Sequence, residues 1–501
     1  MRKQFFIFGI IILIITSLIA YYYKYSVFLP IAILAIILVG VANSFQKKHA
    51  ILRNFPVLGY FRYLFEAISP EIQQYFIERS TDGKPFSRNQ RSLVYQRSKN
   101  IDATTPFGTQ LDINTSDYEG IKHAMFPKKV NEELPRIMVG GENCKQPYNA
   151  SLLNISAMSF GSLSENAIIA MNIGAKKGNF YHNTGEGGLT EFHLQGGDIT
   201  WQIGTGYFGC RNEDGSFSET NFKEKANLPS VKMIEIKLSQ GAKPGHGGVL
   251  PAAKNTEQIA KIRGVKPFTT ILSPPSHSAF SDAKGLVHFI AKLRDLSNGK
   301  PIGFKLCIGD TRDFEKVCEE MILENIFPDF ITVDGAEGGT GAAPLEFSDG
   351  VGMPFEPALI FVNKTLVSLN IRHKIRVICS GKIISGHSIL RAIAMGADMC
   401  NSARGFMFSL GCIQALRCNN NECPTGVATQ NKMLMKGLVV TDKSERVYNF
   451  HKNTLHAANE LLAAAGKNSF SEVDINIFMR GDEFVNLSNL YFTDNLTNVT
   501  N

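Results

Sequence analysis

Three cysteines towards the end of the chain, Cys412, Cys418 and Cys423, stand with five and then four residues between them, and Pro424-Thr425-Gly426 closes the run. A thiolate is a soft donor that suits an iron-sulfur cluster or zinc, and a Cys-Pro ending is a recurring feature of cluster-binding loops. Three ligands favour a cluster with three protein-held irons. Zinc needs a fourth donor, which His387 or Cys400 supplies only if the fold brings it close, and thiols that are simply buried are the third reading. Just upstream, an apolar run over 375–379 ends in Ser380-Gly381-Lys382, and an alanine-rich helical stretch leads to a second short run that ends in Ala403-Arg404-Gly405. These are two consecutive strand-helix units, each ending in small residues of the kind that grip phosphate.

Such residues need a frame, and the middle of the chain supplies a countable one. Short apolar runs at 152–158, 180–183, 233–238, 269–272, 302–307, 330–333, 376–379 and 399–402 each end in small or polar residues, and most precede a helical stretch. Eight strands alternating with helices predict a (β/α)8 TIM barrel, whose active site forms at the carboxyl ends of the strands. A doubly wound sheet is the competing architecture, but no G-x-G-x-x-G turn opens a βαβ unit. The loops past the strand ends then become the site. They hold Ser159 and Gly161, then Thr184, Glu186 and Gly187, then residues 240–248, residues 273–277, Lys305 near the fifth strand end, and the loop 334–341 with Gly339 and Gly341. Gly381, Ala403 and Arg404 follow strands seven and eight, where phosphate grips of these barrels commonly lie.

The length of 501 residues, 44% of them hydrophobic, allows more than one core but also a single barrel with extensions. Nine cysteines form an odd, scattered set, which points to a reducing compartment. The formal charge of +7 is spread without basic blocks interleaved with aromatics, so no nucleic-acid footprint is present. At the N-terminus two apolar runs, 5–23 and 27–42, are each nearly long enough to span a bilayer, and no small-x-small cleavage site favours a signal peptide. The reading is a transmembrane helical hairpin over 1–48. Arg2, Lys3, Lys47, Lys48 and Arg53 against a lone Lys24 in the connection place both ends, and the rest of the chain, in the cytoplasm. Residues 49–130 have poor periodicity and are read as a collar packing the anchor onto a main domain at 131–480, which includes the cysteine loop at 411–430. Residues 481–501 read as a loosely held polar tail.

The motifs also match a family. The chain resembles the FMN-binding, glutamate-synthase-like proteins over nearly all of residues 50–470. The resemblance rests on Ser156-Ala157-Met158-Ser159-Phe160-Gly161, Asn183-Thr184-Gly185-Glu186-Gly187-Gly188, and Ile236-Lys237-Leu238-Ser239-Gln240-Gly241-Ala242-Lys243-Pro244-Gly245. It also rests on Asp334-Gly335 with Gly338-Gly339-Thr340-Gly341, and on the cysteine segment through Gln430, which looks like the [3Fe-4S] loop of glutamate synthases. It implies a membrane-anchored short form like the synthase domain alone, in which FMN sits at the open face of the barrel beside a [3Fe-4S] cluster that relays single electrons. The implied reaction is reduction of the imine formed from 2-oxoglutarate and ammonia to L-glutamate. By the same resemblance Met158, Ser159, Lys305, Gly339, Gly341, Gly381, Ala403 and Arg404 hold FMN. Glu186, Lys237, Gln240 and Lys243 face the flavin or the acid, and Cys412, Cys418 and Cys423 hold the cluster.

Departures from the family pattern bear on the substrate. Full synthases usually read T-G-E-G-G-E and G-A-K-P-G-E-G-G-Q where this chain has Leu189, His246 and Val249. A hydrocarbon cannot hydrogen-bond a keto-acid, so a different small anionic substrate is an alternative, as is a membrane-tethered electron-transfer module. The expected chain has no amino-terminal nucleophilic cysteine, hence no glutaminase domain, and no second dinucleotide domain. Ammonia is then free or delivered by a partner, and electrons come from a ferredoxin, a reductase subunit or a membrane carrier.

Overall fold

The computed structural model describes residues 2–101, 104, 106–481 and 485–491. The chain divides into two compact units, Met1–Arg88 and Asn89–Asn501. The region read as one collar is therefore shared between them.

In the larger unit eight parallel strands close a barrel: β1 (Leu153–Ile155), β2 (Tyr181–Asn183), β3 (Asp198–Ile203), β4 (Val231–Lys237), β5 (Ile302–Leu306), β6 (Phe330–Asp334), β7 (Arg376–Ser380) and β8 (Met399–Ser402). Their order around the barrel is the order in the chain, with β8 closing on β1. Helices start where the sequence supplies caps. Ser164 accepts from the Ala167 amide at the head of Glu165–Gly178, and Asp310 accepts from the Arg312 amide at the head of Thr311–Leu323.

The predicted barrel is present, but one of its eight expected strands is not a barrel strand. The run at 269–272 contributes only Ile271–Leu272, which pairs antiparallel with Val249–Leu250 in the long connection between β4 and β5. The true third strand, β3, has the sequence Asp-Ile-Thr-Trp-Gln-Ile, and its polar residues hid it from a search for unbroken apolar runs. Its apolar residues are buried outside the barrel, where Trp201 stacks on Phe222 at 5.3 Å. Gln202 serves a polar layer inside. There the fully buried Glu235 of β4 accepts from Asn183 at 2.8 Å, from Gln202 at 2.7 Å and from Thr332 at 2.6 Å. Three donors offset the cost of taking this carboxyl group out of water. As a consequence Lys237 ends the fourth strand, not the third.

Two further pieces support the site. Helix Arg88–Ser98, from the stretch to which the sequence assigned no chemistry, braces the cysteine loop: Tyr95 donates to the Cys412 carbonyl at 2.6 Å and Arg91 to the Ile413 carbonyl at 3.3 Å. Asn449 and Asn453, on the long helix Val440–Ala464, hold the same helix through the Ser98 and Arg97 carbonyls. At the C-terminus Val485–Asn486 pairs with Phe478–Arg480, and Leu487 is buried. The rest of the expected tail, 482–484 and 492–501, lies outside the described residues.

The smaller unit contains the helices Arg2–Tyr22 and Phe28–Phe45, joined by a short turn at Lys24–Ser26. They pack as a hairpin in which a side chain at Gly40 would strike the Phe5 ring and one at Gly9 would meet Ile37 at 3.1 Å. Small residues at such crossings let apolar helices approach closely. The 21 residues of the first helix span about 31 Å, the thickness of a bilayer core. Both helices are long and apolar enough to cross a membrane, and almost none of their surface is buried.

Candidate active site

The carboxyl ends of the strands gather buried lysines and carboxylates. Lys237 and Lys305 are register partners on the adjacent strands β4 and β5, and each meets its own acid. The Lys237 ammonium lies 2.7 Å from Glu186, in the loop after β2, and donates to the Gln240 amide oxygen at 2.7 Å. Lys305 lies 3.1 Å from Asp334 at the end of β6. Asp334 also accepts from the Gly241 amide at 2.9 Å, which ties the loop after β4 to the end of β6. A side-chain carbon at Gly241 would fall 1.7 Å from the Gly335 carbonyl, so only glycine permits this closure.

Electrostatics divides these groups. Burial alone would push the Glu186 carboxyl up, but Lys237, Lys243 and Arg263 together hold it below its ordinary value. Burial works against the charge on Lys305, yet Asp334, Glu235 and Glu186 push its ammonium above the usual lysine range. Lys243 differs. It is 3% exposed, and its ammonium donates to the Ala342 carbonyl at 2.8 Å with no carboxylate at ion-pair distance among the described residues. Burial pulls it down to about 8, with Glu186 opposing and Lys237 assisting. It is a dehydrated cation whose hydrogen-bond partner is neutral.

Other predicted residues take up positions around this centre. Met158 and Ser159 back the turn at Gly185, where an added side chain would come within 3.0 Å of their main chain. Arg404, past β8, donates to the Glu337 carbonyl at 2.6 Å, and a side chain at Gly339 would meet its stem at 2.9 Å. Burial lowers the Arg404 guanidinium to about 10 despite Asp334 and Glu337. Gly381 packs against Phe355, and Ala403 precedes the short helix Arg404–Ser409. Gly341 faces Cys418, so the loop after β6 abuts the cysteine loop.

Arg263 carried no local signal in the sequence, and His277 was legible only as the last residue of the expected loop 273–277. Arg263, at the end of helix Glu257–Arg263, donates to the Phe160 carbonyl at 3.0 Å, and burial lowers it to about 10. His277 bridges the Tyr207 hydroxyl at 3.0 Å and the Lys237 carbonyl at 2.9 Å, and burial pulls it down to about 4. A neutral imidazole thus fixes the main chain that carries Lys237. Of the residues marking departures, Leu189 is buried, Val249 pairs with Leu272, and His246 turns its ring edge-on to Phe347 at 5.1 Å.

The expected cluster ligands Cys412, Cys418 and Cys423 share the cysteine loop. Among the described residues no three metal-ligating side chains stand together at coordinating distance. The donor chemistry nevertheless fits a thiolate site. Burial raises the Cys412 thiol to about 12 and also raises Cys418. At Cys423 the Thr425 hydroxyl and the amides of Ala428, Thr425 and Val427 outweigh burial and lower the thiol. Amides aimed at a sulfur stabilise its anion. Beside it the Lys254 ammonium, 2% exposed, donates to the Ser162 and Cys418 carbonyls at 2.6 and 3.1 Å, with no carboxylate at ion-pair distance among the described residues.

Fold and site define a (β/α)8 barrel protein with buried lysines and carboxylates gathered at the carboxyl ends of its strands and a three-cysteine loop beside them. Residues 109–468 match the family model described as the conserved region in glutamate synthase, and the chain belongs to that family. It is 38% identical over 495 residues to the glutamate synthase large subunit-like protein YerD of Bacillus subtilis, covering 90% of this chain and 94% of that protein. It is 34% identical over 321 residues to the archaeal glutamate synthase [NADPH] of Methanocaldococcus jannaschii, of which it spans only 60%. Among solved structures a flavocytochrome b2 variant with pyruvate bound aligns with a TM-score of 0.43 and 12% identity over 88% of this chain and 90% of that one.

Proposed function

We propose that the chain is a glutamate-synthase-type flavin oxidoreductase that reduces the imine formed from a small 2-oxo acid, 2-oxoglutarate in the first instance, and ammonia to the amino acid. The observation that carries this reading is Lys243, a buried cation beside the Lys237–Glu186 pair with no carboxylate at ion-pair distance among the described residues. An ammonium this dehydrated is costly unless an anion arrives, and a carboxylate substrate supplies one. Bound FMN supplies hydride transfer to the imine carbon, and a [3Fe-4S] cluster supplies single electrons from an external donor such as a ferredoxin or a reductase subunit.

The chain's own residues are suited to hold these groups. Lys305, kept protonated by Asp334, would stabilise negative charge on a bound flavin. Arg404 with the small residues Gly339, Gly341, Gly381 and Ala403 fits the phosphate end, and Met158 and Ser159 fit the wall after β1. Lys243 binds the acid, Lys237 with Gln240 and Glu186 orients it, and the closed loops exclude water. Cys412, Cys418 and Cys423 provide the thiolates, and Lys254 offsets their charge. The hairpin over 1–48 anchors the protein, with the basic residues at its ends and the domain at 131–480 in the cytoplasm. The test is anaerobic: a reduced, FMN-loaded protein mixed with a 2-oxo acid and ammonium should be reoxidised, and amino acid should form. If flavin and iron are present but no small acid reoxidises the protein, the reading fails. An FMN and iron-sulfur enzyme for a different small anion is the second reading, favoured by Leu189 and Val249 in place of polar residues.

A further inference from the structure

The smaller unit contains a further helix whose apolar side is uncovered. Thirteen residues separate the end of the hairpin at Phe45 from the start of helix Gly59–Ile72. Phe61, Leu64, Phe65 and Ile68 lie along one stripe at helical spacing, and they are 57%, 52%, 60% and 38% exposed. Arg62 and Glu66 form a solvated ion pair at 2.8 Å on the adjoining flank. Beyond the helix, Tyr75, Phe76 and Ile77 continue the exposed apolar surface. A stripe of large side chains with a charged flank is the pattern of a helix that lies along a boundary between oil and water.

The position of this helix identifies the boundary. Tyr60 donates to Asn43, at the end of the second hairpin helix, at 3.0 Å, and the ring of Tyr63 meets His49 edge-on at 5.5 Å. A side chain at Gly59 would strike Leu52 at 2.9 Å, so the helix start is packed against the segment that leaves the hairpin. The stripe is therefore held at the end of the hairpin that carries Arg2, Lys3, Lys47, Lys48 and Arg53. Basic residues at that level favour an anionic lipid surface, and tyrosines commonly sit at headgroup depth.

We propose that helix Gly59–Ile72 is an interfacial membrane helix, with Phe61, Leu64, Phe65 and Ile68 buried among the acyl chains of the leaflet beneath the hairpin's basic end. This rests on the reading of the hairpin as a membrane anchor. The helix turns a two-point anchor into a seated one and fixes the depth at which the chain leaves the bilayer. A second copy of this chain is the competing occupant of the stripe.

The test uses the full chain in vesicles of anionic phospholipid with brominated acyl chains, which quench tryptophan on contact. The one native tryptophan, Trp201, is fully buried between the barrel wall and its outer helices and gives a constant background. Phe65→Trp and Ile68→Trp should show blue-shifted emission that brominated lipid largely abolishes, whereas Glu66→Trp should keep its emission. Ile14→Trp reports separately on insertion of the hairpin. Quenching at Ile14→Trp with none at Phe65→Trp or Ile68→Trp overturns the interfacial helix and leaves the anchor standing. Quenching at the stripe with none at Ile14→Trp removes the anchor on which the proposal rests and overturns it, and no quenching at any position removes both. Blue-shifted emission at the stripe that brominated lipid does not touch assigns the face to a second copy and overturns the proposal.

Discussion

Replacing Lys243 by Met keeps most of the side-chain volume and removes only the charged end. In the free protein that charge has a carbonyl as its hydrogen-bond partner, so the loss should not weaken folding, and relief of a buried ammonium should leave the melting temperature equal or higher. Acid binding should behave in the opposite way. A hydrogen bond to a charged group contributes about 1.5 to 3 kcal/mol, so the variant should bind a 2-oxo acid roughly 10- to 150-fold more weakly. The assay is a titration of the acid against the flavin absorption spectrum, with FMN content measured on the same samples. A pH series gives an independent check. The free-state ammonium titrates near 8, lowered first by burial, and a bound carboxylate raises it. Affinity should therefore be flat below about pH 8 and fall as pH rises through 8 towards the higher value in the complex. The Lys243→Met variant should lack that fall. If Lys243→Met binds the acid within about twofold of the parent, or keeps the same pH dependence, the reasoning from charge is wrong.

The other predictions concern the cluster loop and the loop closure. Cys418→Ser should lose the iron and the paramagnetic resonance signal of a [3Fe-4S] centre, whereas full retention, or stoichiometric zinc in the parent, would overturn the assignment. Lys254→Met should lower the reduction potential of the centre, because a nearby cation favours the more negative reduced state, and Lys254→Arg should restore it. An unchanged potential in Lys254→Met would remove that role. Gly241→Ala places a carbon on the Gly335 carbonyl, so it should cost about 1 to 3 kcal/mol and reduce FMN occupancy. Wild-type stability and occupancy would show that the loop has room to move.

What the sequence disclosed follows from where the chain is locally informative. Strands buried on both faces by apolar residues, such as β5 to β8, could be read directly, and the loops that follow them carry the predicted glycines, lysines and arginine. β3 could not be read that way, because Thr200 and Gln202 interrupt the apolar run that the search required and Gln202 serves an interior carboxylate. The run at 269–272 satisfied the same search and belongs to a small antiparallel pair. The Lys237–Glu186 contact joins the end of β4 to the loop after β2; family resemblance named both residues but not their pairing. Arg263, Lys254 and the bracing helix Arg88–Ser98 act through backbone carbonyls far away in the chain, a kind of contact that leaves no spacing pattern.

The most direct test of the central claim is a single anaerobic turnover. The protein is reconstituted with FMN and iron, photoreduced, and mixed with 2-oxoglutarate and ammonium while flavin absorbance is followed and amino acid is measured. The account predicts reoxidation that requires both the acid and ammonium, with one amino acid formed per reduced flavin. Flavin that stays reduced with 2-oxoglutarate and with every other small 2-oxo acid, in protein that holds both FMN and iron, would contradict it.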